Sequence, residues 1–341
     1  MSNRFPGISF EDAVNSELEW ALGHSGENDE PTCGEQSQAR SDCSDSSPDT
    51  DSKAGKTALP NQKLSSSTRP PKEAQSSSSA PDTECEIWSL ASGSRANCTL
   101  IKTESAVILI DFGLSLRATK KLLAERGVDL RQLDAIFITH EHSDHIAGLA
   151  SLFKYYDIPV HMTEPSYIAY TRAKGFDFRD KITVHPLEYA VNIGGMTVRS
   201  HPVSHDSAAC VAYSVRGCGA SFCICTDTGY VSESAFDALA ASHDIIIESN
   251  HDVAMLTHGP YPYELKRRIL SGNGHLSNDD CDKALIKLAN FKVKRALLAH
   301  ISPENNTPEL ALHAAIESLD RAGVKLEFID VAPRIQPIRL I

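Results

Sequence analysis

One short stretch constrains the fold of this chain more than any other: "AIFITHEHSDHIAG", which runs from residue 135 to residue 148. An apolar run is followed, within six residues, by the ionisable side chains of His140, Glu141, His142, Asp144 and His145. Groups of this kind are costly to bury without partners. The apolar run predicts a buried strand, so the end of that strand must deliver them to a common site.

A transition-metal centre is the structure that best accommodates these side chains. Imidazoles and carboxylates converging from one loop suit Zn²⁺, Mn²⁺ or Fe. His140 and His142 are two residues apart and can share one ion, whereas Asp144 and His145 can bind a neighbouring one. The HxHxDH spacing directly after a strand is a strong indication of such a site. The sequence therefore predicts a binuclear centre with two divalent transition-metal ions.

Three later segments offer the remaining ligands. Asp227 in "ICTDTG" and His300 in "LLAHIS" each follow an apolar strand, and the carboxylate of Asp227 can bridge two ions. "SHPVSHDS" offers both His201 and His205, which strand alternation places on the same side. We select His205 because it lies at the strand end, and His201 stays open as the alternative.

The order of predicted elements from residue 85 onward indicates the fold class. Strands and helices alternate at both ends of this region, and the stretches "KITVHPL", "MTVRSHPV", "CVAYSVRG" and "SFCICTDT" form a run of strands between them. Such a pattern is typical of two packed sheets with helices outside, an α+β architecture. We assign residues 85–341 to one domain.

The first 84 residues differ in composition from the rest. They are rich in Ser, Pro and Asp and carry 15 acidic and 7 basic side chains, a net charge of −8. Such a segment buries too little apolar surface to offset its ordering entropy, so we predict disorder over residues 1–84. In "SFEDAVNSELEWALG", Ser9 and Asp12 resemble a capping box, which indicates either a short helix that docks a protein partner or a transient helix.

The net charge of residues 85–341, the apolar content and the cysteines limit the function only slightly. Residues 85–341 carry a net charge of only −4, so an anionic substrate is not excluded. No apolar stretch approaches the ~20 residues of a membrane span, and the start lacks a signal-peptide core. The nine cysteines form no CxxC pair. We predict a cytoplasmic protein with reduced thiols and no membrane partner; the sequence does not indicate an oligomeric state.

The motifs "THEHSDH", "SHD", "TDTG" and "LLAH" resemble, in order and spacing, those of the metallo-β-lactamase superfamily. The resemblance covers roughly residues 86–341 and implies a four-layer αββα sandwich with a two-metal site at its edge. It implies one ion held by His140, His142, His205 and Asp227, and the other by Asp144, His145, Asp227 and His300. Asp111 in "LIDFG" matches a frequent acidic position near the site, behind the ligands.

Other segments resemble particular branches of this superfamily. "LASGSRANCTLI", "ESNHD", "YPYELKRRI", "GHLSN" and "AHISPENN" are similar to the YycJ (WalJ) group, which are bacterial enzymes regarded as 5′ to 3′ DNA exonucleases. "GHLSNDDCDKALIKLANFKVKRALLAHIS" is similar to the arrangement in tRNase Z. The resemblance implies a metal-dependent hydrolase of phosphodiester bonds acting through a two-metal-activated hydroxide. It implies that the substrate is a nucleic acid, with DNA favoured over RNA, and that the protein acts in DNA repair. The alternative is a small-molecule hydrolase for a cyclic phosphodiester, thioester or lactone.

The same resemblance and the mechanism assign further roles. Asp227 and Asp144 would hold and orient the hydroxide, and His275 in "NGHLSN" would protonate the leaving oxygen. The alternative for His275 is a loop residue that caps a helix. His251 in "SNHD" lines the site or is a structural turn histidine.

A substrate groove is predicted in "HGPYPYELKRRIL", between two segments that point at the site. Tyr261 next to Lys266 and Arg267 offers an aromatic face for a base beside cations for phosphates. The alternative is a helix with a solvated charged face and core tyrosines.

Overall fold

The structure, a computed structural model, describes residues 85–175 and 177–341. The predicted disorder of residues 1–84 and the candidate helix near Ser9 lie outside the described residues. The assignment of residues 85–341 to one domain also stays a prediction.

The described chain alternates strands and short helices. Its first half consists of β1 (Glu86–Ala91), β2 (Cys98–Lys102), β3 (Val107–Ile110), α1 (Leu116–Ala124), a 3₁₀ turn (Leu130–Gln132), β4 (Ala135–Phe137), α2 (Ser143–Ile146), α3 (Leu149–Tyr155), β5 (Val160–Thr163), α4 (Glu164–Lys174) and β6 (Ile182–His185). Its second half consists of β7 (Ala190–Ile193), β8 (Met196–Val203), β9 (Cys210–Gly217), β10 (Ala220–Cys225), α5 (Glu233–Ala240), β11 (Asp244–Glu248), α6 (Val253–His258), α7 (Tyr263–Ile269), α8 (Asn278–Leu288), β12 (Arg295–Ala299), α9 (Pro308–Ala322), β13 (Phe328–Val331) and β14 (Ile338–Arg339).

The strands form two mixed sheets of seven strands each. The first has the order β14-β1-β2-β3-β4-β5-β6, and the second has the order β13-β12-β11-β10-β9-β8-β7. The pairs from β3 to β6 are parallel, as are the pairs from β10 to β13. Parallel strands bring their carboxyl ends to one edge of the sheet, so each sheet has an edge where several strands end together.

Three apolar clusters define four layers. One lies between the sheets and includes Ile108 and Phe222, and the others lie between each sheet and its helices. In β3, Ile108 and Ile110 face the opposite sheet, whereas Leu109 faces the helices. This alternation explains why the strand is apolar at every position. Each such buried side chain contributes about 1.5–3 kcal/mol to stability.

The predicted αββα fold is confirmed, and a few local features complete it. Thr307 caps the start of α9, since its hydroxyl accepts a hydrogen bond from the Leu310 N–H at 3.1 Å. The pairing of β14 with β1 was not predicted, because two residues show no periodicity. Seven cysteines lie in the described ranges, all are free, and only Cys218 is not buried. None of the helices in the described ranges has the length and apolarity that a membrane crossing requires.

Candidate metal centre

Five strand ends converge on one edge of the stacked sheets. Asp111 follows β3, His140 follows β4, Asp227 follows β10, Glu248 ends β11 and His300 follows β12. Three of these residues have a left-handed backbone, with φ of 64° at Asp111, 56° at Asp227 and 55° at His300. That conformation costs an L-residue about 1–2 kcal/mol. Strain of this kind persists where a site needs the side chain aimed in one direction.

A first group of ligands consists of three histidines. Ring nitrogens of His140, His142 and His205 all lie within 4.8 Å of one another. His142 Nδ1 and His205 Nε2 are 3.3 Å apart. His140 is fully buried, His142 is half-buried, and the side chain of His205 is only 2% exposed. We name these three residues the histidine group.

A second group combines carboxylates with imidazoles. Ligand atoms of Asp144, His145, Asp227 and His300 also lie within 4.8 Å of one another. His145 Nε2 is 3.1 Å from Asp144 Oδ2 and 3.4 Å from Asp227 Oδ2. We name these four residues the mixed group. Asp227 Oδ1 is 3.4 Å from His300 Nε2 and 3.9 Å from His205 Nε2, so this carboxylate lies between the two groups.

A buried glutamate that the sequence analysis missed joins this centre to His275. Glu248 Oε1 lies 2.8 Å from His275 Nδ1 and 2.9 Å from His300 Nδ1. Glu248 Oε2 accepts a hydrogen bond from the Thr228 N–H at 2.8 Å. The available signal was a carboxylate that ends the apolar run "IIIE", the same pattern that marked Asp227.

Asn97 is a second residue that the sequence analysis did not select. Its side-chain amide donates to Asp144 Oδ2 at 2.8 Å and lies 3.0 Å from His145 Nε2. Its backbone N–H donates to the Asp144 carbonyl at 2.8 Å. Asn97 therefore fixes Asp144 from both its backbone and its side chain.

Hydrogen bonds at Nδ1 fix the orientation of three imidazoles. His145 Nδ1 donates to Asp111 Oδ2 at 2.8 Å, and His300 Nδ1 donates to Glu248 Oε1. His205 Nδ1 donates to the Gly274 carbonyl at 3.2 Å. Carboxylates and carbonyls only accept, so Nδ1 carries the proton in each ring and Nε2 faces the centre.

The residues present fit metal ions on a direct structural test. His140 Nε2, His300 Nε2 and Asp227 Oδ2 are buried and have no hydrogen-bond partner. Buried polar atoms are nearly always paired, and each unpaired one costs about 1–3 kcal/mol. All three belong to the two ligand groups, and imidazole with carboxylate is a donor set that transition metals prefer. The centre is thus built to hold cations.

The two groups differ in protonation. Burial lowers the pKa of all three imidazoles in the histidine group, and neighbouring imidazoles lower it further. In the mixed group burial also favours the neutral imidazole, but the carboxylates of Asp144, Asp111 and Asp227 outweigh it and hold the pKa of His145 well above its ordinary value. The pKa of His300 is raised in the same way, chiefly by Asp227.

His275 combines a raised pKa with access to solvent. Burial lowers its pKa, and the carboxylate of Glu248 more than reverses that effect. The side chain is 21% exposed, whereas that of Glu248 is fully buried. His275 therefore keeps its proton to a higher pH than an ordinary imidazole does, at a position that solvent reaches.

His201 lies apart from the two ligand groups. Its Nε2 is 2.8 Å from the Ser214 hydroxyl and its Nδ1 is 3.3 Å from the Ser234 hydroxyl. It lines a cavity of about 750 Å³ between β8, β9 and α5. Of the two alternatives, the structure brings His205 rather than His201 to His140 and His142.

The predicted substrate-binding residues lie in varied surroundings. His251 is 1% exposed, neither ring nitrogen has a hydrogen-bond partner, and burial lowers its pKa to about 4. Tyr261 is half-buried. Lys266 Nζ donates to the carbonyls of Thr257 at 2.9 Å and Gly259 at 2.8 Å. Arg267 is exposed and pairs with Glu264 at 3.0 Å. A contact of these residues with substrate stays a prediction.

Comparison with known proteins agrees with this architecture. Residues 92–300 match the metallo-β-lactamase superfamily. Two solved structures have the same fold: the metallo-β-lactamase fold protein YhfI from Bacillus subtilis and Zn²⁺-bound PqqB from Methylobacterium extorquens. YhfI has a TM-score of 0.54 at 16% sequence identity, and the match covers 75% of this chain and 99% of the YhfI chain. PqqB has a TM-score of 0.54 at 14% identity and covers 74% and 99%. The chain belongs to the metallo-β-lactamase superfamily.

Curated relatives narrow the position within the family. The chain is 36% identical to exodeoxyribonuclease YycJ of Bacillus anthracis over 234 residues, which are 69% of this chain and 89% of the relative. It is 38% identical to exodeoxyribonuclease WalJ of Streptococcus pneumoniae over 250 residues, which are 72% of this chain and 93% of the relative. The protein is a metallo-β-lactamase-fold hydrolase homologous to these exodeoxyribonucleases, as its motifs predicted.

Proposed function

We propose that this protein is a metal-dependent 5′ to 3′ DNA exonuclease with two divalent transition-metal ions. Zn²⁺ or Mn²⁺ would suit the donor set, and Fe is a further candidate. The ligands would be His140, His142 and His205 for one ion, Asp144, His145 and His300 for the other, and Asp227 for both. The observation that carries the proposal is the position of Asp227 between two complete ligand groups, in a chain that aligns with nearly the whole length of two exodeoxyribonucleases.

The chain's own carboxylates would organise the nucleophile. When bound, two such ions lower the pKa of a water molecule and neutralise charge that develops on a phosphodiester. Asp227 would help to hold both ions, because its side chain is buried between the two ligand groups and its backbone has a left-handed φ. Asp144, fixed by Asn97, would accept a hydrogen bond from the attacking water and orient it.

His275 would supply the proton that the leaving oxygen needs. Glu248 accepts from Nδ1, so the proton to be donated lies on Nε2. Because His275 must be protonated to act, turnover would fall as pH rises through its raised pKa. Glu248 would position His275 and His300 together through one oxygen.

Support for DNA as the substrate comes from the relatives. YycJ and WalJ are exodeoxyribonucleases, and the 5′ to 3′ direction follows the resemblance to their group. The loop and helix from Tyr261 to Arg267 would line the DNA path, with Lys266 shaping the loop by holding two carbonyls and Arg267 meeting phosphates. His251 would support the site from beneath, because it is buried.

End-labelled substrates test the proposal. Purified protein loaded with Mn²⁺ or Zn²⁺ is given single- and double-stranded DNA and the matching RNA, labelled at either end. We expect a 5′ label to appear at once as a mononucleotide and a 3′ label to appear as a shortening ladder. Asp227→Ala is the control for contaminating nucleases. Faster hydrolysis of RNA, or of a small cyclic phosphodiester, thioester or lactone, would contradict a DNA exonuclease.

A further inference from the structure

An exposed aromatic ring lies on the rim of the metal centre and has no part in the chemistry described so far. Tyr230 is 53% exposed and follows the ligand Asp227 by three residues. The backbone that carries it is fixed. The Thr228 N–H donates to Glu248, the Gly229 N–H donates to the Ser204 carbonyl at 2.9 Å, and the Thr228 hydroxyl donates to the Tyr230 carbonyl at 2.6 Å.

The ring of Tyr230 lies next to the segment around Gly272. A Cβ added at Gly229 would lie 2.2 Å from the Gly272 carbonyl oxygen, so the two backbones are in close contact. A Cβ added at Gly272 would lie 3.8 Å from Tyr230 Cδ1, so the ring lies beside that glycine. The segment from Gly272 leads directly into His275. Tyr230 therefore lies beside the segment that carries the proposed general acid.

We propose that Tyr230 stacks on the base of the 5′-terminal nucleotide, the one whose 3′ oxygen leaves. The inference rests on the proposed function, and the leaving-group side is the side of His275. An aromatic face held out to solvent on a rigid backbone stacks on any base, because every base has a π-face. An exonuclease that removes successive nucleotides must accept all four bases at this position.

Abasic substrates test the stacking directly. Wild type, Tyr230→Ala, Tyr230→Phe and Tyr155→Ala are compared on a strand with all its bases, on one with an abasic first position and on one with an abasic second position. Tyr155 is 64% exposed and precedes β5, at the opposite edge of the first sheet, so it is the matched control. Thermal midpoint and metal content are measured for each variant.

We expect Tyr230→Ala to lower kcat/KM on the complete strand by roughly ten-fold, the effect of losing one stacked base. Removing the first base should cost wild type a similar factor, and on that substrate the loss caused by Tyr230→Ala should shrink to about two-fold or less. Tyr230→Phe keeps the ring and should resemble wild type, as should Tyr155→Ala. A 2-aminopurine at the first position, next to a non-cleavable linkage, should be quenched by wild type and less by Tyr230→Ala.

Three results would overturn the inference. An equal loss on complete and abasic strands would mean that Tyr230 only shapes its loop. A loss that disappears with the second base instead of the first would put the ring on the other side of the scissile phosphate. Wild-type rates in Tyr230→Ala would exclude stacking while leaving the exonuclease proposal intact. If wild type cleaves no DNA, the proposed function itself fails.

Discussion

The histidine group and the mixed group lie side by side but are supported by different chemistry. In the histidine group, the Nδ1 atoms of His140 and His205 face neutral atoms. Thr139 Oγ1 is 3.0 Å and Cys210 Sγ is 3.6 Å from His140 Nδ1, and the Gly274 carbonyl is 3.2 Å from His205 Nδ1. Behind the mixed group stand carboxylates, since Asp111 accepts from His145 and Glu248 accepts from His300. A carboxylate behind an imidazole makes it a more basic ligand but also retains its proton. The first group is ready for a cation at neutral pH, whereas His145 and His300 in the second group keep their protons to a higher pH than an ordinary imidazole does.

The largest effect should come from the residue that the groups share. Asp227→Ala removes the carboxylate between them, so both ions should be lost or greatly weakened. Several kcal/mol of charge stabilisation would disappear, and hydrolysis should fall by roughly 10³-fold or more. Metal analysis alongside activity checks this. Full occupancy by two ions in the variant would show that Asp227 is not shared.

The next largest effect tests whether His275, which lies beside the mixed group, donates a proton or binds a metal ion. His275→Ala should lower turnover by roughly 10²–10⁴-fold with near-normal metal content, because it removes a proton donor and not a ligand. A substrate with a better leaving group should recover much of the loss. Metal loss in this variant would instead make His275 a ligand.

Glu248→Gln asks whether the shared glutamate tunes the acid. Without its charge the pKa of His275 should fall, because Glu248 is what raises it. A group that acts in its protonated form loses activity as pH rises through its pKa, so the alkaline limb of the kcat–pH profile should move to lower pH. If the alkaline limb does not move, the titration of His275 does not determine the pH profile.

One substitution in each group should separate the two ions. His142→Ala should weaken the ion of the histidine group, and His300→Ala should weaken the ion of the mixed group, each leaving about one ion bound. Sites of different affinity can be resolved by stepwise metal titration of both variants. Identical titrations would mean that the two groups bind a single ion together.

Much of this centre could be predicted because its ligands follow strand ends in short motifs. His140 to His145 form one local pattern, and Asp227 and His300 each end an apolar run. Glu248 in "IIIESN" has the same local pattern as Asp227, a carboxylate at the end of an apolar run, but that pattern does not indicate which side chains the carboxylate contacts. Its role depends on distances to His275 and His300, which are 27 and 52 residues away in the chain. His201 and His205 were ambiguous because alternation places both on one side.

The proton inventory of metal binding should differ between the groups. His145 and His300 have raised pKa values, so below those values each must lose a proton to bind an ion. The imidazoles of the histidine group have lowered pKa values and are neutral near pH 7. Affinity for the ion of the mixed group should therefore fall first as pH falls. Calorimetry in two buffers of different ionisation enthalpy measures the protons released with each ion, and equal release would contradict the comparison.

The smallest effect should come from the atoms behind the ligands. Asp111→Asn keeps the shape of the side chain but removes the charge that faces His145. Removing the hydrogen-bond partner behind a metal ligand typically costs 10–100-fold in metal affinity, and we expect about 10-fold for the ion of the mixed group.

Cys210→Ser is the matched change behind His140. A thiol is only a weak hydrogen-bonding group, so this variant should alter affinity for the other ion by about three-fold at most. Asp111 also accepts from the Thr139 hydroxyl that lies behind His140, so Asp111→Asn should weaken the ion of the histidine group as well, but by a smaller factor than the ion of the mixed group in a stepwise titration. Equal losses at both ions in Asp111→Asn would mean that the carboxylate supports the whole edge of the sheets, and the distinction between a neutral and a charged support would no longer hold.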